Sequence, residues 1–237
     1  MVSMNKNYSK SIETTTRLSR GLARRLGNHS PWGNRPSGAA EKTGYSQSSE
    51  EKYILRGVGK KPGRFLDIGA WDPKVFSNTR ALYERGWSGV MIEPSPWPFQ
   101  NLLEEYGNVD RISLVCAAVG LKRELVEFFA TADAVSTWDI QWRKRWEKDG
   151  VKYRRFFVQV ITLEEIIKKF GKNFQFINID TEKSSADLAI HMFKLGIRPD
   201  CFCIEHDGRS DEIENSVKRF GYKRLLVNDE NLIMALK

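Results

Sequence analysis

Short apolar runs that alternate with helical patterns constrain the fold of this chain more than any other feature of its sequence. From Arg64 onward there are five main runs: RFLDIGA, SGVMIE, ISLVCAAV, FQFINID and CFCIE. Strands that are apolar on both faces and separated by helices predict a mainly parallel sheet covered on both sides. Two further runs, YKRLLVN and NLIMALK, flank the dipeptide DE and predict a closing hairpin. The sequence therefore predicts an α/β doubly wound, Rossmann-like sheet with an antiparallel C-terminal strand pair.

Capping residues indicate where the intervening helices begin. Ser77, Ser95 and Ser210 are each predicted to cap a helix, and the pair Thr162 and Glu165 has the spacing of a capping box. The run ELVEFFA predicts one additional, shorter strand. These boundaries complete the alternation of strands and helices that the fold requires.

The first fifty residues differ in composition from the rest of the chain. Residues 1–49 contain eight Lys or Arg and two Glu, whereas the remainder contains 30 basic and 28 acidic residues. The net charge of +8 therefore resides mostly in this first segment. Because the segment also has few large apolar residues, it cannot offset its ordering entropy by burial. We expect a basic, flexible tail over residues 1–50 and a folded domain over residues 51–237.

The sequence of the basic tail allows three interpretations. Leu18, Leu22 and Leu26 recur every four residues beside four arginines, a pattern typical of an amphipathic helix that binds an anionic surface, an acidic partner or nucleic acid. The segment is also similar to an organelle transit peptide, because it is rich in Arg, Ser and Thr and poor in acidic residues. The third interpretation is a solvated tail without a fixed partner.

The sequence predicts a soluble protein without a transmembrane segment, because no apolar stretch approaches the roughly 20 residues that a membrane helix requires. We expect a cytoplasmic location, with an organelle as the alternative if the tail is a transit peptide. Cys116, Cys201 and Cys203 lie in strand-like runs and are not clustered with histidine. They therefore predict buried, reduced thiols, and indicate neither a zinc site nor a disulfide framework.

The turn after the first strand, FLDIGAWDP, lies where α/β sheets bind ligands, beyond the carboxyl end of a strand. A dinucleotide-binding turn would need G-x-G-x-x-G, but only Gly69 is present and Pro73 lacks a backbone donor. A similar pattern, GVGKKPG, precedes the strand, and no P-loop sequence occurs. A single glycine in a wide turn suits S-adenosylmethionine, which has no pyrophosphate. Glu93 ends the second strand about 20 residues on, where a ribose-binding acid is expected for NAD as well.

The segment FLDIGAWDPKVFSNTRALYERGWSGVMIEP resembles the opening of the FkbM-like methyltransferases. These are class I S-adenosylmethionine-dependent enzymes that typically methylate hydroxyl groups of sugars or secondary metabolites. The likeness continues, in the family's order, through CAAVG, VITLEEIIKKF, FINIDTE, CFCIEHD and GYKRLLVNDENLIMAL. It spans about Arg64 to the C-terminus and implies a methyltransferase sheet, S-adenosylmethionine as the cofactor, and a small-molecule or glycan acceptor.

The resemblance also implies a cofactor site made of nine residues at strand ends and helix starts: Asp67, Gly69, Ala70, Ser77, Asn78, Thr79, Glu93, Ala117 and Ala118. The first three would shape the methionine end of the site. The segment from Ser77 to Thr79 would start a helix whose amide groups favour a carboxylate. Glu93 would hold the ribose, and the two alanines at 117 and 118 would lie near the adenine.

The catalytic residues implied by the resemblance are Asp180 and Glu182, which match the acids of the family's Asp-x-Glu-Gly pattern. Lys183 stands in place of the glycine of that pattern. We name His206 as the candidate base, because an unperturbed imidazole with a pKa of about 6.5 accepts a proton at neutral pH. A carboxylate could serve instead, and a lone histidine after a strand is more often a structural residue. Together with Glu205 these side chains could coordinate a divalent cation, but spacing cannot show that they converge, so no metal site is predicted.

A Trp- and Arg-rich connector covers residues 131–155. If it is helical, Trp138, Trp142 and Trp146 share one face, since they are four residues apart. The connector would then be a lid or an acceptor platform, or the tryptophans would simply pack the helix onto the domain.

The turn after the first strand and the family resemblance together predict an S-adenosylmethionine-dependent O-methyltransferase. The alternative is a catalytically inactive methyltransferase-like module that binds nucleic acid or an acidic partner through its tail or this connector.

Overall fold

The computed structural model describes residues 44–131, 136–148, 150–181 and 183–236. Over these residues the chain forms seven α-helices: α1 Glu50–Gly57, α2 Arg80–Glu84, α3 Pro96–Tyr106, α4 Ile140–Lys148, α5 Leu163–Phe170, α6 Ser185–Lys194 and α7 Ser210–Val217. The same residues form ten strands: β1 Arg64–Ile68, β2 Ser88–Ile92, β3 Ile112–Val115, β4 Ala118–Val119, β5 Glu124–Ala130, β6 Arg154–Ile161, β7 Phe176–Ile179, β8 Cys201–Glu205, β9 Tyr222–Val227 and β10 Asn231–Leu236. The predictions for the basic tail fall on residues 1–43, outside the described residues.

Seven strands form the main sheet, in the order β3-β2-β1-β7-β8-β10-β9. The first five strands in this order, β3, β2, β1, β7 and β8, pair in parallel, whereas β10 is antiparallel to both β8 and β9. This arrangement confirms the predicted doubly wound α/β sheet with an antiparallel C-terminal pair. Because β1 and β7 are neighbours at the centre, their carboxyl ends meet at one edge of the sheet.

Each central strand divides its apolar side chains between two core layers. Leu66 and Ile68 of β1 belong to one layer, whereas Phe65 packs into the layer on the opposite face. Both layers are buried, which explains why these strands are apolar on both faces. Cys201 and Cys203 are buried in one layer, as predicted, but the thiol of Cys116 is exposed because the chain leaves the sheet after β3.

A separate three-stranded sheet, in the order β4-β6-β5, was not apparent from the sequence. The run ISLVCAAV predicts one strand, but it divides at Cys116 into β3 of the main sheet and β4 of the small one. The strand β6, which is not among the predicted strands, pairs antiparallel with β5 and parallel with β4. This pairing folds the region between β3 and α5 into a second layer beside the main sheet's carboxyl edge.

The predicted helix starts are confirmed in part: Ser95 lies at the N-cap of α3 without a side-chain cap bond, and the N-cap of α2 is Thr79, two residues after the predicted Ser77. Thr162 and Glu165 form the expected capping box, with the Glu165 amide donating to Thr162 Oγ1 and the Thr162 amide donating to Glu165 Oε2. Ser77 Oγ accepts a hydrogen bond of 3.1 Å from the Arg80 amide at the start of α2. Ser210 is the first residue of α7 and not its cap, so that prediction is wrong by one position.

Among the described residues, some that precede the predicted boundary at residue 51 pack against the domain. Glu50 is buried at the start of α1 and accepts a hydrogen bond of 2.7 Å from Asn228 Nδ2. Tyr45 donates its hydroxyl proton to Glu84, over a distance of 2.7 Å. No helix in the described part of the chain has the length and apolar character needed to cross a membrane.

Candidate active site

A pocket with about 1080 Å³ of empty space, including its open mouth, lies at the carboxyl ends of β1, β2 and β7. Eight of the nine predicted cofactor residues line it: Asp67, Gly69, Ala70, Ser77, Asn78, Glu93, Ala117 and Ala118. Asp180 lines it too, and Phe128 and Trp138 add an aromatic wall from the small sheet and the connector. The structure therefore brings together residues that are far apart in the sequence.

Gly69 is required by the close approach of two strand ends. Its φ is +83°, and a Cβ at this position would collide with the carbonyl oxygen of Asp180. The amides of Gly69 and Ala70 both donate to the carbonyl of Ile92 at the end of β2. A glycine is the only residue that allows this turn and the end of β7 to touch.

The loop between β1 and α2 contains two large residues in the left-handed region. Trp71 has a φ of +45° and Phe76 a φ of +56°, and their rings stack with centroids 5.8 Å apart. Such a conformation is strained for bulky side chains and is concentrated at functional sites in proteins. Both residues line the pocket, so the stacked pair holds the shape of its rim.

Glu93 lines the pocket and also holds two backbone segments. Its Oε2 accepts a hydrogen bond from the Trp71 amide at 3.0 Å, and its Oε1 accepts one from the Ser95 amide at 2.7 Å. Burial raises the pKa of Glu93 to about 7, although these hydrogen bonds oppose the change. The carboxylate thus fixes the loop after β1 and the start of α3, and a carboxylate oxygen has a second lone pair for a ligand hydroxyl.

Asp67 is the centre of a buried hydrogen-bond network. Its Oδ1 accepts from Asn178 Nδ2 at 2.9 Å, its Oδ2 accepts from Thr79 Oγ1 at 2.6 Å, and Asn78 Nδ2 donates to Asn178 Oδ1 at 3.0 Å. Burial raises the pKa of Asp67, and the bonds from Thr79 and Asn178 lower it.

Thr79 and Asn178 of this network differ from what was predicted for the cofactor site. Thr79 is fully buried and does not line the pocket, so its predicted place in the cofactor site is corrected: it orients Asp67. Asn178 lines the pocket and was missed. The signal that could have found it is a polar residue inside the apolar strand FINI.

Asp180 is the predicted catalytic residue that faces the pocket. Its amide donates to the Ile68 carbonyl, and its side chain is exposed to the open space of the pocket while protein surrounds its other sides. The pKa of Asp180 is raised, first by removal from bulk water and then by the negative charge of Glu230. Because the pocket is open to solvent, the rise in the pKa of Asp180 is limited. Glu182, the second predicted acid, lies outside the described residues.

His206 is a structural residue in this fold, which corrects its assignment as the catalytic base. It is buried and does not line the pocket. The carbonyl of Asn228 lies 3.0 Å from Nε2, and the amide of Gly208 donates to Nδ1 at 2.9 Å. These bonds occupy both ring nitrogens and leave neither for an acceptor molecule.

The possible metal cluster does not form among the residues that the structure describes. No group of three or more His, Cys, Asp or Glu side chains in this part of the chain is arranged to hold a metal ion. Glu205 instead accepts a hydrogen bond of 3.3 Å from Ser185 Oγ at the start of α6.

The connector contains the helix α4, and its tryptophans have different surroundings. Trp146 is buried and meets Trp142 edge-on at 5.9 Å, whereas Trp138 lines the pocket. Packing and a pocket role are thus divided among the three residues. Residues 132–135 of the connector lie outside the described residues.

Lys183, which replaces the glycine of the family pattern, joins this helix to the end of β7. Its φ is +80°, a conformation that favours glycine. Its Nζ lies 4.4 Å from the centre of the Trp142 ring, within cation–π distance. Its amide donates to Asp207 Oδ1 at 3.2 Å. The residue therefore preserves the backbone turn of the pattern and adds a contact with α4.

Comparisons with known proteins point in the same direction. A family described as "Methyltransferase FkbM domain" matches residues 67–185 of the chain. Among solved structures, the chain is similar to methyltransferase FkbM from Methylobacillus flagellatus KT, with 15% identity and a TM-score of 0.47. This likeness covers 73% of the present chain and 43% of the Methylobacillus chain, less than half of its length.

Two further solved structures are similar over nearly their whole length. The SAH-bound methyltransferase PaMTH1 of Podospora anserina has 12% identity and a TM-score of 0.44, covering 100% of this chain and 98% of its own. The O-methyltransferase from Bacillus cereus in complex with SAH has 14% identity and a TM-score of 0.39, covering 100% and 93%. These TM-scores are low, so the likenesses support no conclusion about ligand or reaction. No curated protein matches the chain.

Replacing Thr79 should expose its role as the partner of Asp67. In Thr79→Val the buried carboxylate loses one donor, so its pKa rises further and we expect a loss of roughly 1–3 kcal/mol of unfolding free energy at neutral pH. Because the loss depends on the charged form of Asp67, it should shrink as the pH is lowered and the carboxyl group takes up its proton. Urea unfolding over a series of pH values measures it. Thr79→Ser, which keeps the donor, should show a deficit independent of pH; equal behaviour of the two variants would contradict the assigned bond.

The left-handed backbone at Lys183 predicts an unusual order of stability. Lys183→Gly and Lys183→Ala both lose the contact with Trp142. At a positive φ alanine is strained, whereas glycine is not. We expect Lys183→Gly to be more stable than Lys183→Ala by about 1 kcal/mol in urea unfolding. Lys194, exposed at the end of α6, is the matched control. There alanine should be the more stable replacement, and the same order at both positions would refute the conformation of Lys183.

Proposed function

Since the chain belongs to the FkbM methyltransferase family, we propose that it transfers the methyl group of S-adenosylmethionine to a hydroxyl group of a small-molecule or glycan acceptor. The observation that carries this proposal is the pocket in which Gly69, Glu93 and Asp180 converge at the ends of three parallel strands. In α/β sheets such an edge is where ligands bind.

The residues of the pocket fit S-adenosylmethionine better than a dinucleotide. The turn has one glycine, and the loop that follows is filled by Trp71 and Phe76, which suits a cofactor without a pyrophosphate. Glu93 offers a carboxylate for the ribose hydroxyls. Ala118 and Phe128 provide an apolar wall for the adenine. These residues would hold the cofactor by the contacts that its charged, polar and apolar parts each need.

When bound, S-adenosylmethionine supplies a methyl group that its sulfonium makes electrophilic, so the protein has to align the acceptor and remove a proton. We assign the proton transfer to Asp180. It is a carboxylate that faces the pocket, and its raised pKa brings its basicity closer to that needed at neutral pH. The charge of Glu230 nearby favours proton uptake by Asp180 and thus supports this role.

We prefer an active enzyme to an inactive binding module. The sequence feature that favours inactivity is Lys183 in the glycine position, but its φ of +80° is the conformation that glycine would adopt there. The substitution therefore leaves the turn beside Asp180 intact. We also propose a cytoplasmic location, because Cys116, Cys201 and Cys203 are all free thiols and such thiols persist in reducing compartments.

Binding of S-adenosylhomocysteine, the demethylated product, tests the cofactor assignment by calorimetry. We expect binding of this compound and none of NAD. Ribose hydroxyls bond the charged form of Glu93, whose pKa without ligand is about 7. The affinity should therefore rise as the pH increases toward about 7 and level off above it.

Two variants sharpen this measurement. Glu93→Gln should weaken binding at least about 10- to 100-fold and should flatten the pH dependence, because it removes the charge that the ribose hydroxyls bond and leaves the amide of Trp71 or Ser95 without its acceptor. Glu104→Gln, an exposed carboxamide on α3, is the matched control and should bind like the unmodified protein. Binding of NAD alone would overturn the proposed function.

The role of Asp180 can be separated from cofactor binding. Asp180→Asn keeps the size of the side chain but cannot accept the acceptor's proton, so we expect turnover to fall by about 10²- to 10⁴-fold with S-adenosylhomocysteine affinity unchanged. Release of S-adenosylhomocysteine during turnover of a hydroxyl acceptor gives the rate. In His206→Asn, by comparison, the loss should appear in stability and not in the pH dependence of the rate. Unchanged turnover of Asp180→Asn would exclude this base.

A further inference from the structure

A second pocket lies beside the candidate active site, and none of the cofactor or catalytic roles proposed above falls on it. It has about 970 Å³ of empty space, including its open mouth, between β5, the start of α4 and the start of α6. Its wall is mostly apolar, with large side chains from three parts of the chain: Leu121, Val126, Phe129, Ile140, Val160 and Leu188. A concave, mostly apolar surface is typical of small-molecule sites.

The two pockets share a wall. Trp138 lines both of them, so its indole is the partition between the two cavities. On the other side, Thr181 lines the active-site pocket and its Oγ1 lies 2.8 Å from Oγ of Ser184, which lines the second pocket. Thr181 directly follows Asp180. A molecule in the second pocket therefore lies next to the part of the active site that holds the proposed base.

Two of the large exposed apolar side chains of this domain lie together in the second pocket. Leu121 is 56% exposed and Ile140 is 51% exposed, although both are large and line the cavity. Exposed apolar surface around a concavity marks a binding site more often than an accidental feature. Covering these two side chains would remove apolar area from water and favour binding.

The charged side chains that line this pocket balance one another. Asp187 lies 2.8 Å from an Arg209 nitrogen, and Glu127 lies 3.1 Å from an Arg155 nitrogen. The other two charged residues of the lining, Lys122 and Glu124, have opposite charges. The pocket therefore has no net charge to attract an ionic ligand, and its apolar wall dominates. A neutral ligand with an apolar body matches this chemistry.

We propose that the second pocket binds the apolar body of the acceptor, a neutral molecule whose hydroxyl group reaches past Trp138 to Asp180. The inference rests on the proposed function, and it narrows the acceptor from sugars in general to glycosides or alcohols that carry an apolar group. Ile140 and Leu121 then determine acceptor specificity without contact with the cofactor.

Two probes that differ in their apolar body test the proposal. The full-length protein is first saturated with S-adenosylhomocysteine, and then n-octyl β-D-glucoside, below its micelle concentration, or D-glucose is titrated by calorimetry. We expect the octyl glucoside to bind at least about 10-fold more tightly than glucose, because its chain buries methylene groups. Ile140→Asp should weaken the octyl glucoside at least about 5-fold and leave S-adenosylhomocysteine binding unchanged.

Leu103→Asp is the matched control, since Leu103 is also a large exposed apolar residue, 42% exposed, and lines neither pocket. It should have no effect on either ligand. Equal weakening by Ile140→Asp and Leu103→Asp, or equal binding of glucose and octyl glucoside, would overturn the acceptor subsite. If S-adenosylhomocysteine itself fails to bind, the proposed function fails first, so the two failures are distinguishable.

Discussion

The buried carboxylate of Asp67 is the interaction on which the site depends. It lies at the centre of the sheet, where it accepts one hydrogen bond from Asn178 of β7 and one from Thr79 before α2. Burying a carboxylate is costly unless donors compensate it, so the three segments must keep their relative positions. The same register places Gly69 against the carbonyl of Asp180. The turn after β1 and the end of β7, which the proposed function assigns to the cofactor and to catalysis, are thus fixed by one local network.

The pocket gathers acidic groups at the edge of the sheet, and each is stabilised differently. Asp67 has side-chain donors, Glu93 has two backbone amides, and Asp180 faces the open pocket. Their pKa values are all raised, because burial opposes the charged form of each. The consequence differs with the partners: hydrogen-bond donors hold the first two in place, whereas Asp180, which Glu205 contacts, has a side chain that is open to a ligand in the pocket.

The sequence predicts the parts of the fold that depend on local patterns. The parallel strands, the capping box at Thr162 and the glycine turn at Gly69 all follow from residues close together in the chain. The small sheet does not, because β4 and β6 pair across about forty residues and only that pairing divides the run ISLVCAAV. The structural role of His206 likewise depends on the carbonyl of Asn228, which no spacing rule connects to it. Tertiary contacts therefore decided what local patterns left open.

The region between β3 and α5 separates the proposed acceptor subsite from the proposed cofactor site. The main sheet supplies Gly69, Glu93 and Asp180, whereas the small sheet and α4 supply Phe128, Trp138 and the apolar wall of the second pocket. The contact between Lys183 and Trp142 joins these two parts at the end of β7. Because the small sheet and α4 contribute side chains to the pocket wall but none to the hydrogen bonds of Asp67, changes in them would, under the proposed function, alter acceptor size and polarity without disturbing that network.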